Sequence, residues 1–487
     1  MTAHRIPEHL GVPGMLIDGK LQPASDGAEL PIVDPTTERT LGSIPDASPS
    51  DVDAAVTAAA GASGAWRDLR WAERARILRD VADVVAAHAD DFALLDALDG
   101  GNTRESMRAD AISAADEIRY FAGISPEAKG QTIPSGPNAL TYTEFVPYPV
   151  VARIVPFNHP LKFAAAKSAA PLAAGCAVVL KPGEHSSLSA LHLGRLVREL
   201  LPPGVFNVVT GRGERAGAAL AEHPRVPRVA FTGGVPTGQR ILSATAQAVK
   251  HVSLELGGKN PFIVFPDADP VAAAAGAVAA MNFSRSAGQS CGSTSRAFVH
   301  RDVAEEFTAA LLEKLATLRV GDPLDPETAV GPLSFRAHYD KVLGYLDVGR
   351  AEGARLRCGG GRPAGVDKGW FVEPTVFDRV DMSMRIAREE IFGPVLSILE
   401  WDDPEAMLDD VNGLELGLTG NIWTRDIATA IRTARRVETG YVSVNGTGKR
   451  PLGAPFGGFK ASGIGKESSL DELLSYGRHK SVTITLG

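Results

Sequence analysis

A chain of 487 residues and 51.2 kDa is long enough for about two to four domains and a large buried core. Lys and Arg total 50 against 58 Asp and Glu, a net charge of −8 that argues against a basic nucleic-acid footprint, and 44% hydrophobic with 22% charged residues excludes disorder of the whole chain. The three cysteines, Cys176, Cys291 and Cys358, form no C-x-x-C and no Cys/His cluster at zinc spacing, so neither a disulfide framework nor a metal centre is expected and a reducing compartment fits.

Met1 to Gly14 lacks the apolar run of a signal peptide, and the longest uncharged stretch, Pro270 to Ser284, is too short to span a bilayer. A cytoplasmic protein without membrane partners is therefore expected. Ser48-Pro49-Ser50-Asp51 reads as an N-cap, a first-turn proline and an acidic residue, ahead of Val52, Ala55, Val56 and Ala59 at helical spacing. Ile77 to Leu95 repeats apolar residues every three or four positions and stops at Gly100-Gly101, which predicts one longer amphipathic helix.

From about residue 176 short β-branched runs alternate with helical patterns. Cys176 to Leu180, Val205 to Val209, Arg228 to Phe231 and Val252 to Leu256 read as strands, as do Ala297 to His300, Val395 to Leu399, Gly420 to Trp423 and Tyr441 to Asn445. Strands joined by crossover helices imply right-handed βαβ units, hence an α/β fold with two parallel-sheet lobes. Leu140 to Val150 and Ser481 to Leu486 read instead as extended arms. An open apolar edge invites pairing with another chain, so these arms predict an oligomer.

Two residues stand out chemically. Cys291 lies in Gly288-Gln289-Ser290-Cys291-Gly292-Ser293, a small and polar run unlike the setting of an ordinary buried cysteine. Glu255 ends a strand, on the face opposite Val252, Leu254 and Leu256, and is followed by Gly257-Gly258, which suggests close approach to the backbone there. The turn Thr232-Gly233-Gly234 opens a helix whose free N–H groups suit a pyrophosphate, although an ordinary strand-to-helix turn reads the same way.

Together, Leu254 to Asn260 (LELGGKN), Gly288 to Cys291, Glu389 to Val395 and Pro455 to Gly463, with Pro156 to Pro160 and Val179 to Pro182 before them, resemble the ordered motifs of the NAD(P)-dependent aldehyde dehydrogenase superfamily. The similarity runs from about residue 30 to the C-terminus. It implies two Rossmann-like lobes plus a small β-arm oligomerisation element. Residues 1–127 and 147–257 would form the NAD-binding domain, 258–456 the catalytic domain, and 128–146 with 470–487 the arms of a homodimer or homotetramer.

The resemblance also implies a mechanism. Cys291 would add to an aldehyde, with Asn158 and the Cys291 N–H holding the oxyanion, and Glu255 would activate water to hydrolyse the thioester left by hydride transfer. Lys167 and Glu467 match a proton path behind the site. The implied cofactor site comprises Pro156, Phe157, Lys181, Glu184, Gly211, Phe231, Gly233, Gly234, Gly238, Leu256, Glu390 and Phe392, with Glu184 favouring NAD over NADP. Two departures are Gly234, where many members have serine, and His338, where many have glutamine. The implied aldehyde tunnel comprises His159, Phe163, Ala166, Ser290, Gly292, Arg450 and Phe456. A CoA-acylating dehydrogenase and a catalytically silent NAD-binding protein are the rival readings.

Overall fold

Five parallel strands, Val150–Ile154, Ala177–Lys181, Phe206–Val208, Arg228–Thr232 and His251–Glu255, form the centre of an eight-stranded sheet. These coordinates come from a computed structural model, which describes residues 4–447 and 450–486. Numbered in chain order, the five lie side by side as 3-2-1-4-5, so the order reverses between Val150–Ile154 and Arg228–Thr232. Ligands of open α/β sheets bind outside the strand C-termini at such a reversal. Met15–Ile17 and Gly463–Ile464 add antiparallel neighbours at the two sides.

Strand side chains alternate between two cores, as the pleat requires. Val150, Ala152 and Ile154 face Val52, Ala55, Val56 and Ala59 of α1 (Pro49–Asp68). Val151 and Val178 face the layer of α2 (Trp71–Ala87), α3 (Ala89–Gly100), α4 (Arg104–Ile124) and α5 (Pro160–Ala174). The cap expected for α1 is present: the Asp51 N–H donates to Ser48 Oγ at 3.2 Å, and the Ser48 N–H donates to Asp51 Oδ2 at 2.8 Å. The single helix expected over Ile77 to Leu95 is instead two, α2 and α3, broken at His88 (φ −101°, ψ 21°). Asp90 and Asp91 explain the break, because acidic residues favour the first turn of a new helix.

The second sheet has seven strands in the spatial order Arg355–Cys358, Thr375–Asp378, Val395–Trp401, Arg296–His300, Pro261–Val264, Thr419–Trp423 and Tyr441–Val444, all parallel except the first. Pro261–Val264 and Thr375–Asp378 escape a pattern reading because each is only four residues long and fully buried, without alternation.

The arms pair with each other inside one chain. Gly477–Thr485 runs antiparallel to Ala139–Pro147, with Thr132–Ile133 beyond. Helix Leu470–Ser475, expected to belong to the arm, packs Leu473 into the core of the first lobe. Among the described residues no helix is long and apolar enough to cross a membrane.

Candidate active site

At the reversal of the first sheet lies a cavity of about 190 Å³, walled by Pro156 and Phe157 beyond one strand and by Thr232, Gly233 and Gly234 beyond the other. Leu256, Glu390 and Phe392 close it. A second cavity, of about 280 Å³, runs along one face of α5, where the spacing of His159, Phe163, Ala166 and Lys167 places all four on the same side. Ser290, Gly292, Arg450 and Phe456 complete the group expected around an aldehyde tunnel. Cys291 and Glu255 border both cavities.

The second lobe supplies Cys291 from the N-terminal ends of its strands, facing the C-terminal ends of the first sheet. The cysteine loop is held rigidly. Asn260, last residue of the LELGGKN motif, donates through Nδ2 to Cys291 O at 2.7 Å and Ser293 O at 2.9 Å, and accepts from the Thr419 N–H at 3.0 Å. Buried Gln289 donates to Ser286 O and accepts from the Ser334 N–H, both at 3.1 Å. Asn158 Nδ2 donates to Gln289 O at 2.9 Å, which fixes one amide hydrogen and leaves the second for another acceptor. The Cys291 N–H has no hydrogen-bond partner among the described residues. Burial, then the carboxylates of Glu390 and Glu255, push the Cys291 thiol up to about 12. Cys176 and Cys358 instead direct their thiols at the backbone oxygens of Tyr476 and Pro374.

Both carboxylate oxygens of Glu255 are buried without a partner. Burial, and next the Glu467 carboxylate, hold its carboxyl well above the usual carboxylate range. Glu467 goes the other way: burial opposes its charge, but Lys167 and Arg153 overcome that and hold it at about 2. Lys167 donates to Glu467 Oε2 and Arg153 to Oε1, the latter at 2.5 Å. A glycine is needed at 457 because a Cβ there would sit 2.6 Å from Glu255 Oε1.

The pair after Glu255 has a similar cause. A Cβ at Gly257 would lie 2.1 Å from Glu390 Oε2, and the Gly258 N–H donates to Glu390 Oε1 at 2.9 Å. His338 Nε2 lies 2.7 Å from Phe392 O, and burial pushes that imidazole down to about 4, so a neutral N–H donates. Lys181, Glu184, Gly211, Phe231 and Gly238 lie outside the cavity lining. Glu184 accepts from the Gly213 N–H at 2.8 Å, while Gly238 and Gly211 give room to Leu256 and Asp46.

Several wall residues were not anticipated: Lys162, Arg285 and Glu117, with Asp110 behind them. A signal existed for two of these. Asp110 and Glu117 stand seven apart on the apolar face of α4, among Met107, Ala111, Ala114 and Ile118, where a carboxylate needs a partner.

Two α/β lobes with a cysteine and a buried glutamate where two cavities meet define a site built around a nucleophile and a base. The comparisons identify the class: residues 22–482 match the aldehyde dehydrogenase family, and the chain belongs to it. It is 41% identical over 97% of both chains to the betaine aldehyde dehydrogenase of Cereibacter sphaeroides. It is 44% identical to the aldehyde dehydrogenase tropH of Talaromyces stipitatus, over 97% of this chain and 93% of that one. An NAD+ complex of the aldehyde dehydrogenase from Bacillus cereus superposes with a TM-score of 0.95 at 38% identity, covering 98% and 97% of the two chains.

Proposed function

We propose that the chain oxidises an aldehyde to a carboxylate with NAD, Cys291 forming the covalent intermediates and Glu255 activating water. One observation carries this reading: Cys291 and Glu255 lie where the two cavities meet, so a substrate in one and a cofactor in the other would share them. The Cys291 thiolate adds to the aldehyde carbon, and the oxyanion is received by the second Asn158 amide hydrogen and the unpartnered Cys291 N–H. A thiol raised by burial needs a base, and a carboxylate whose pKa burial has raised is a stronger base for that proton than an ordinary carboxylate.

The cavity at the sheet reversal fits NAD on three counts: its position, the buried and unpartnered Thr232 Oγ1, and a helix starting at Gly234 with no side-chain cap. The Bacillus cereus complex supports that choice. Pro156, Phe157, Gly233, Gly234, Leu256, Glu390 and Phe392 would hold the cofactor there, with Lys181 and Glu184 receiving its adenosine ribose. The chemistry NAD supplies when bound is acceptance of the hydride whose loss leaves a thioester on Cys291. Glu255, having passed the thiol proton on toward Lys167 and Glu467 behind it, then takes a proton from water as the water oxygen adds to the thioester carbon; collapse of that adduct breaks the C–S bond and releases the carboxylate product and the Cys291 thiolate. In this reading the chain is cytoplasmic, and its arms join copies into a homodimer or homotetramer.

The test is aldehyde-dependent NADH formation. Wild type should produce it, Cys291→Ala should not, and Cys291→Ala should still bind NAD in a fluorescence titration. Substantial turnover by Cys291→Ala contradicts the covalent mechanism.

A further inference from the structure

The more exposed part of the larger cavity carries three long cationic side chains from three separate segments. Lys162 comes from the first turn of α5, Arg285 from helix Phe283–Ser286, and Arg450 from the stretch after strand Tyr441–Val444. Two buried carboxylates of α4 offset them. Asp110 takes the Arg285 guanidinium, lies 3.7 Å from Lys162 Nζ and is 2.5 Å from His159 Nδ1. Glu117 reaches Arg450 only through a hydroxyl: Arg450 Nη2 donates to Ser468 Oγ at 3.0 Å, and Ser468 Oγ donates to Glu117 Oε1 at 3.2 Å. Among the described residues Arg450 has no carboxylate in direct contact. Deeper in, Lys167 is engaged by Glu467. Among the described residues the outer wall thus holds one cation more than it has anions.

The aromatic walls point the same way. A cationic substrate is best held on the faces of aromatic rings. Here the Phe456 face is covered by the Arg450 guanidinium, 4.1 Å from the ring centre, and Phe163 by Lys167 Nζ at 4.8 Å. Tyr441 and the His159 imidazole are the other rings among the described residues of the lining, and His159 Nδ1 is taken up by Asp110. A quaternary ammonium would have to displace the protein's own cations and then face their charge. A carboxylate would meet a guanidinium fork that among the described residues gives one hydrogen bond, to Ser468, and a planar fork of donors is the geometry that recognises carboxylates best.

We infer, on the aldehyde-oxidising reading above, that the preferred substrate carries a carboxylate at the end remote from its aldehyde, held by Arg450 with Lys162. In that preference the chain would differ from the betaine aldehyde dehydrogenase it resembles.

The test compares kcat/KM for a ladder of short ω-oxo carboxylates, each beside the uncharged aldehyde of the same length, with betaine aldehyde as the cationic probe. At least one carboxylate should exceed its uncharged partner by about tenfold or more, with betaine aldehyde below both. The advantage should shrink as ionic strength rises, a readout that needs no variant. Arg450→Gln should cut the ratio of carboxylated to uncharged substrate by about tenfold, chiefly through KM, and Arg450→Lys should restore part of it. Equal values along the whole ladder, a preference for betaine aldehyde, or a ratio unmoved in Arg450→Gln would overturn the inference while leaving aldehyde oxidation standing. Failure of every aldehyde to reduce NAD would overturn both.

Discussion

Glu255 shows how a single side chain can be costly to the fold and informative about function. Both its oxygens are buried and unpartnered, a state that proteins seldom keep without use for it. Only the ionised carboxylate can take a proton from water, and burial has raised its pKa, so kcat should climb with pH as Glu255 loses its proton, over a range displaced well above that of an ordinary carboxylate. That limb should vanish in Glu255→Gln; a profile unchanged by the substitution would assign the titration elsewhere. In the proposed reading Glu184 carries the cofactor preference. A 2′-phosphate beside its carboxylate meets like charge, so Glu184→Gln should raise KM for NAD and lower it for NADP, measured with one aldehyde. Gly257→Ala should likewise raise KM for NAD, since the new Cβ occupies the place of Glu390 Oε2.

At the scale of elements, local chemistry predicts well where the signal is short-range. Ser48 and Asp51 form the reciprocal cap that their spacing announced, and Ser48→Ala should cost about 1 kcal/mol in a denaturant titration. The strand ending in Glu255 was legible as a short alternating apolar run, and the loop carrying Cys291 as small and polar residues that no plain core element would choose. Contacts set by tertiary folding were not legible. Arg450 was expected at the tunnel, but Lys162 and Arg285 were not, because only the packing of α5 against the cysteine loop and the segment after Tyr441–Val444 brings the three to one wall. The break at His88 was hidden because apolar periodicity continues across it, carried by Phe92 and Leu95 on the buried face. Gly238 and Gly211, expected in the cofactor site, also have a packing reason to be glycine, because their missing Cβ atoms make room for Leu256 and Asp46.

For the whole molecule, the two sheets meet with opposite strand ends, the first presenting C-termini and the second N-termini. That arrangement brings the loop before Arg296–His300 against the end of His251–Glu255 and so sets Cys291 beside Glu255. The three-stranded arm leaves Gly477–Thr485 and Thr132–Ile133 as outer edges, with Ile484, Leu486 and Ile133 exposed. Light scattering should therefore return a mass that is a multiple of 51.2 kDa, and a single-chain mass would contradict the role given to the arms. The division of labour between the lobes is tested most directly by a single turnover of Glu255→Gln with aldehyde and NAD, followed by intact mass and peptide mapping. The account predicts that NADH forms more slowly than in wild type, because the Cys291 thiol must then lose its proton to solvent, and that an acyl group accumulates on Cys291 for want of the base that would activate water. Normal steady-state turnover with no acyl adduct on Cys291 would contradict it.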